Sequence, residues 1–305
     1  MYNLIVILGP TASGKTSFAA RLANDIGGEI ISADSRQVYQ HMDIGTGKDY
    51  DDYMVNGEQI PVHLLDICEP GYKYNVYEFQ KDFFTAFEDI QKRAKWPILC
   101  GGTGLYIEAV INHYKMLPVP RNSELRESLK NKSLSELEKI LASFRRLHNT
   151  TDSDTVERAL RAIEIESYYQ ENPGMIQKLP ELKPLILGMQ IDRTERRRKI
   201  TARLKQRLNE GMIKEVKNLL DAGISPEALI YYGLEYKFIT LYLQGQLSYE
   251  AMFADLNQSI HRFAKRQMTW FRKMERKGTQ IHWLDINISL DERVKIVRQL
   301  IDRPF

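Results

Sequence analysis

Ile5-Val6-Ile7-Leu8-Gly9-Pro10-Thr11-Ala12-Ser13-Gly14-Lys15-Thr16 stands close to the start of this 305-residue chain. It is a β-rich apolar run followed by G-x-x-x-x-G-K-T, and it reads as a strand that delivers a phosphate-binding loop. The backbone N–H groups of such a loop line a concavity, and the helix that follows turns its positive end to the same point. Gly9, Pro10, Thr11, Ala12, Ser13, Gly14, Lys15 and Thr16 are therefore the candidate phosphate cradle. Lys15 supplies a mobile charge, and Thr16 would place its hydroxyl on a Mg²⁺ ion shared with the phosphates. The amphipathic segment Ser17 to Ile26 provides the helix that this motif requires.

Beyond that stretch, strands and helices alternate as far as Val119. The pattern predicts strands at 3–8, 29–32, 62–66 and 97–100, with helices at 15–26, 76–95 and 104–112. Such alternation predicts an α/β fold, a P-loop NTPase-like parallel sheet flanked by helices. Pro118 and Pro120 break the pattern, and Ser123 to Gln170 is helical. There Ser133 and Glu136 form a capping box ahead of Leu134, Leu137, Ile140 and Leu141. An apolar strand from Pro184 to Ile191 returns the chain to the sheet. Residues 1–120 and 184–305 thus form the core and its C-terminal helices, and 121–183 form a small all-helical insertion. Gln280 to Leu284 offers one more strand.

Ligands of parallel sheets sit at the carboxyl ends of the strands. Two polar loops should therefore face the cradle: Asp34-Ser35-Arg36-Gln37-Val38-Tyr39 and Gly101-Gly102-Thr103-Gly104-Leu105-Tyr106. Asp34 suits a general base, an outer-shell metal partner or a helix cap. Asp66, after Val62-His63-Leu64-Leu65, suits either a metal-organising strand end or a turn.

The net charge of +3 hides an asymmetry. Residues 1–120 carry 10 Lys+Arg against 15 Asp+Glu, so the remainder is strongly basic. Arg193 to Lys217 holds ten basic and three acidic residues, and Arg262 to Lys277 seven and one, interleaved with Phe263, Trp270 and Phe271. Such helices are either solvated faces or a nucleic-acid footprint. Cys68 and Cys100 form no C-x-x-C pair, which fits a reducing cytoplasm. No apolar run approaches the roughly 18 residues of a membrane span, and no signal peptide is expected.

Five motifs, GPTASGKT (9–16), DSRQVY (34–39), MDIGTGK (42–48), GGTGLY (101–106) and AKRQMTWFR (264–272), resemble in order and spacing the tRNA dimethylallyltransferase family. The resemblance runs from about residue 3 to about 285. It implies transfer of a dimethylallyl group from its diphosphate to N6 of adenosine 37, beside the anticodon, with Mg²⁺ as cofactor. It implies that Lys15 and Arg203 clamp the diphosphate, Arg203 opening a helix of the form R-x-x-x-x-L-x-x-G with Leu208 and Gly211. Asp34 would orient the N6 amine and take its proton, and Thr103 would stand between diphosphate and base. Asp34, Ser35, Arg36, Gln37 and Thr103 would meet the tRNA anticodon stem-loop, together with Arg126, Arg158, Arg161, Lys265 and Arg266. A cytoplasmic monomer acting on tRNA and dimethylallyl diphosphate is expected.

The chain departs from the family pattern at Gly47-Lys48-Asp49, where alanine and proline are commoner. It departs again at Gly233-Leu234-Glu235-Tyr236-Lys237, which reads as two extra residues in a tRNA-facing loop. A P-loop small-molecule kinase, an isopentenyltransferase of free adenine nucleotides and an RNA-binding NTPase switch are the rival readings. The basic C-terminal half and AKRQMTWFR favour tRNA.

Overall fold

β1 (Leu4–Leu8) is buried along its whole length, as five consecutive apolar residues require of a strand inside a parallel sheet. The computed structural model describes residues 1–144, 153–172 and 179–302. The other strands of the sheet are β2 (Gly28–Ser32), β5 (Val62–His63), β6 (Trp96–Gly101), β7 (Pro184–Gln190) and β8 (His282–Asp285). Their order is β5-β2-β6-β1-β7-β8, with every neighbouring pair parallel. A separate two-stranded hairpin joins β3 (Met54–Val55) to β4 (Glu58–Gln59).

α1 (Lys15–Ile26) and α12 (Leu290–Ile301) share one core with the sheet, in which Phe18, Leu22, Val294 and Val297 meet Ile5, Ile7, Ile98 and Leu187. Val6, Ile31 and Leu99 alternate with those strand residues and are also fully buried, so both faces of the sheet are covered. α2 (Val76–Lys92) opens with a capping box made by Asn75 and Glu78. Its Phe79 stacks on Tyr106 of α3 (Gly104–Ile111), with ring centroids 4.1 Å apart.

The strand expected over 62–66 stops at His63, because Leu64 and Asp66 take positive φ angles and turn the chain away. After β7 the chain is helical: α7 (Arg193–Asn209), α8 (Met212–Asp221), α9 (Pro226–Tyr231), α10 (Leu234–Leu243) and α11 (Tyr249–Arg276). The segment 233–237 is not an enlarged loop, which corrects the sequence reading. Gly233, at φ 147°, precedes α10, and Tyr236 is buried with its hydroxyl donating to Glu215 Oε1 at 2.7 Å.

The chain divides into one unit of Met1–His113 with Pro180–Phe305 and a second of Tyr114–Leu179. The second unit begins before Pro118 because the Tyr169 hydroxyl accepts the Leu117 N–H and donates to the Lys115 carbonyl. It holds α4 (Ser123–Leu129), α5 (Leu134–Phe144) and α6 (Val156–Glu171) around Leu129, Leu137, Leu141, Leu160 and Ile163. Ser133 and Glu136 cap α5 reciprocally. Among the described residues no helix is long and apolar enough to cross a membrane.

Candidate active site

The loop after β1 turns through positive φ at Ala12 (60°) and Gly14 (70°) before α1 begins. Gly14 provides no side-chain cap and the first turn of α1 holds no acidic residue. The opening amides of α1 are therefore left for an anion. Ser13 Oγ is buried there without a hydrogen-bond partner among the described residues, which is costly unless a ligand supplies one.

Gln267 of α11 fixes the loop from behind. Its Oε1 accepts the Thr11 N–H and its Nε2 donates to the Gly102 carbonyl, both at 2.9 Å. A Cβ at Gly102 would lie 2.4 Å from that Nε2, and one at Gly104 would lie 2.5 Å from the Trp270 ring. Gly102 and Gly104 leave room for α11, and Gly101 for Ala33 at the end of β2. Burial pushes the Lys15 ammonium below its ordinary pKa, nearby Asp34 pulls it back, and Arg203 and Arg207 lower it again.

The rim is assembled at the ends of adjacent parallel strands. Asp34 leaves β2, and its Oδ1 accepts the Arg36 N–H at 2.9 Å. Thr103 Oγ1 accepts the Ser35 N–H at 3.1 Å, and the Thr103 N–H donates to the Ala33 carbonyl. Asp34 and Thr103 are thus joined through one loop contact beside Lys15. Gln37 turns inward, accepting from Ser32 Oγ and donating to the Gly47 carbonyl. The Arg36 guanidinium lies over the Tyr231 ring, 5.3 Å from its centroid. Asp66 is a turn residue, bonded by buried Lys48 and by the Tyr50 hydroxyl.

Gly14, Lys15 and Thr16 line an open pocket of about 860 Å³ together with Asp49, Arg203 and Arg207. Arg203 does not open a helix as expected. α7 begins at Arg193 on an Asp192 cap, and Arg203 lies well inside it. Arg207 follows one turn later on the same face, a spacing of four that the sequence displays but that ten basic residues in the segment obscured. Arg203 Nη2 donates to Asp49 Oδ2 at 2.5 Å, and Arg207 Nη2 to the Asp49 carboxylate at 3.2 and 3.3 Å. Burial lowers the Arg207 pKa, with Arg203 adding to the effect. Burial also raises the carboxyl of Glu235, which Arg207 and Arg203 oppose. Asp49, Arg207, Glu235 and Gln267 were not singled out in the sequence.

Among the described residues no group of three or more His, Cys, Asp or Glu side chains could hold a metal ion. Thr16 with Asp51 and Asp52 lines the pocket, which fits a Mg²⁺ ion that takes most of its ligands from substrate phosphates and water.

The arginines expected at tRNA in the helical unit are engaged with protein groups. Arg126 binds Glu164 through Nε at 2.7 Å and Nη2 at 2.9 Å, and Glu157 through Nη1 at 2.7 Å. Arg161 binds the Val119 carbonyl at 2.7 Å and Glu164 at 3.1 Å. Arg158 binds Asp154 at 2.8 Å. In the larger unit Lys265 and Arg266 are exposed on α11, Arg266 lying over Phe263. Lys265 also lines a cleft of about 600 Å³ with Arg193, Arg196, Arg197, Arg262 and Arg272.

Known proteins resemble this arrangement throughout its length. The family model described as IPP transferase matches residues 37–274, and that described as isopentenyl transferase matches residues 2–62. The chain is 60% identical to tRNA dimethylallyltransferase 1 of Parabacteroides distasonis, covering 99% of this chain and 98% of that one. It is 59% identical to tRNA dimethylallyltransferase 2 of Bacteroides fragilis, covering 98% and 97%. The crystal structure of a tRNA isopentenylpyrophosphate transferase from Bacillus halodurans is 30% identical, with a TM-score of 0.71 and 99% and 96% of the two chains covered. A eukaryotic dimethylallyltransferase captured acting on tRNA, 22% identical, shares the fold with a TM-score of 0.79 over 100% of this chain and 81% of that one.

Proposed function

The chain belongs to the IPP transferase family and transfers a dimethylallyl group to tRNA; we propose that the donor is dimethylallyl diphosphate and the acceptor is N6 of adenosine 37. The observation that carries this reading is an anion cradle after β1, whose Ser13 hydroxyl has no partner among the described residues, at the same sheet end as the Thr103 and Asp34 loops that follow the parallel strands β6 and β2. An exocyclic adenine amine is a poor nucleophile. Its reaction needs positioning against the allylic carbon and stabilisation of the departing diphosphate.

The amides of residues 12–16, Lys15, Arg203 and Arg207 hold the diphosphate. Thr16 would hold Mg²⁺, which when bound supplies charge neutralisation on the phosphate oxygens. The N6 lone pair forms the C–N bond as the allylic C–O bond breaks and its electrons leave with diphosphate. Asp34 accepts the N6 proton. Its Oδ1 already accepts from the Arg36 amide, which fixes the carboxylate's direction. Thr103 spans the two rim loops and positions the base against the donor. A stacked adenine must leave the anticodon loop to reach this depth. Ser35, Arg36 and Gln37 surround the entering nucleotide, while Lys265 and Arg266 meet the RNA backbone. Cys68 and Cys100 are both free, in keeping with a cytoplasmic enzyme.

Asp34→Asn tests the reading. The amide keeps the size of the side chain but accepts no proton, so single-turnover transfer should slow by on the order of 10² to 10⁴. Diphosphate and tRNA affinity should hold. Transfer within about threefold of wild type would remove Asp34 from the proton-accepting role.

A further inference from the structure

We propose that Asp49 is an internal counter-ion that competes with the diphosphate for Arg203 and Arg207, and that it sets how readily the diphosphate group enters and leaves. The proposal rests on the reading that the pocket beside Lys15 and Thr16 holds that group.

The geometry is specific. One carboxylate touches both guanidiniums, at 2.5 Å from Arg203 and 3.2 Å from Arg207, and all three side chains line the pocket of the phosphate loop. The Asp49 side chain is 45% exposed, against 31% for Arg203 and 10% for Arg207. The carboxylate is therefore the member of the trio free to turn into water.

Its backbone has no such freedom. Glu215 accepts the amides of Asp43, Ile44 and Gly45 at 2.7 to 2.9 Å. Lys48, fully buried, donates to the Tyr39 carbonyl, to Asp43 and to Asp66. Gln37 holds the Gly47 carbonyl. A Cβ on Gly47 would lie 2.1 Å from Arg207 Nη2 and 2.9 Å from Arg203 Nη2, and its φ is +75°. The loop is pressed against the arginine pair at a residue whose left-handed backbone favours glycine. The two unusual residues of Gly47-Lys48-Asp49 thus serve one purpose, the first making room for the guanidiniums and the second placing an anion on them.

Two arginines side by side attract a diphosphate strongly, but here part of that attraction is already spent on a carboxylate. Diphosphate gains only the difference between its own charge-assisted bonds and those of Asp49. Affinity for donor and product falls together, and the returning carboxylate helps the product out.

The test is Asp49→Asn, read by inhibition of transfer with inorganic diphosphate and by steady-state and single-turnover kinetics. The inhibition constant for diphosphate and the KM for dimethylallyl diphosphate should both fall roughly fivefold, the scale of a half-exposed ion pair. The single-turnover rate at saturating donor should stay within twofold. Asp49→Glu, which keeps the charge, should stay near wild type, and Asp49→Ser should repeat the effect if the amide disturbs the loop. Unchanged or weaker diphosphate binding in both neutral variants would overturn the proposal and make Asp49 an organiser of the arginines. Lys15→Ala separates this from failure of the underlying reading. If that variant binds diphosphate as wild type does, the pocket assignment itself is wrong and the proposal falls with it.

Discussion

Arg126 and Arg161 on one unit, and Arg203 and Arg207 on the other, each close on a carboxylate, but the surroundings differ. Glu164 is almost wholly buried, its side chain 1% exposed. Its oxygens are taken by both arginines and by the Asn122 amide. Arg126 also donates to Glu157, and Arg161 to the Val119 and Pro120 carbonyls. Around Asp49 two guanidiniums likewise share one acid, but that acid is half-exposed and stands beside an open pocket. Arginines closed on a buried carboxylate suit a role in holding the fold, and arginines on a half-exposed one beside a pocket suit a ligand.

Removing one member from each set tests that distinction. Arg203→Ala should slow transfer by on the order of 10² to 10³, as expected for one electrostatic contact to the leaving group, and leave stability and tRNA affinity nearly unchanged. Single-turnover kinetics beside a melting curve will show it. A variant that melts early but reacts normally when folded would erase the contrast.

Arg126→Ala should do the opposite. It strips two of the bonds to buried Glu164 and should destabilise the helical unit by about 2–3 kcal/mol, somewhat less than a complete orphaning because Arg161 and the Asn122 amide remain. Urea unfolding reads this directly. Unchanged stability with lost tRNA affinity would return Arg126 to the RNA surface.

Acid and base should separate the two regions next. Burial pushes the Glu164 carboxyl up, but bonds from Arg126, the Asn122 amide and Arg161 outweigh it and hold the group below its ordinary 4.5. Its contribution is present above pH 4.5 and is lost as pH falls through the lowered value. Glu235, near Arg207, is raised by burial, so its contribution is present below pH 4.5 and is lost as pH rises through the raised value. Glu164→Gln should flatten the acid limb of a stability profile, whereas Glu235→Gln should stabilise the protein near neutrality. Equal profiles for the two variants would contradict the assignment.

The smallest effect belongs to Arg158, which is paired with Asp154 at a well-exposed position. Arg158→Ala should leave the fold intact and lower the log–log salt slope of tRNA binding by about 0.7 to 0.9, the loss of one phosphate contact. An unchanged slope would remove Arg158 from the RNA interface.

What the sequence made legible is what neighbouring residues decide. β1, its glycine loop and α1 are encoded within one short stretch, and the Ser133–Glu136 capping box lies within one turn. The loops carrying Asp34 and Thr103 follow from apolar runs that end in polar ones. The arginine pair at 158 and 161 was visible as a spacing, yet spacing cannot tell that Glu164 and two carbonyls wait for the Arg161 guanidinium. Gln267 reaches the phosphate loop across 256 residues, and Asp49 meets Arg207 across 158. No periodicity records such meetings, because they are settled only when the helices pack. The expected strand over 62–66 failed for a local reason: apolar residues suggested continued extension, while Leu64 and Asp66 adopt left-handed backbone to bring the Asp66 carboxylate to Lys48.

The position of β1 carries a consequence for biosynthesis. It is made before both of its partners, yet it lies mid-sheet, paired with Ile98–Gly101 on one side and Pro184–Gly188 on the other. Its second edge stays open to other strands until nearly two-thirds of the chain has been translated. α4, α5 and α6, encoded between those two partners, draw their core from their own side chains. They can therefore fold while the phosphate loop waits for β7 and for the α7 arginines that line its pocket.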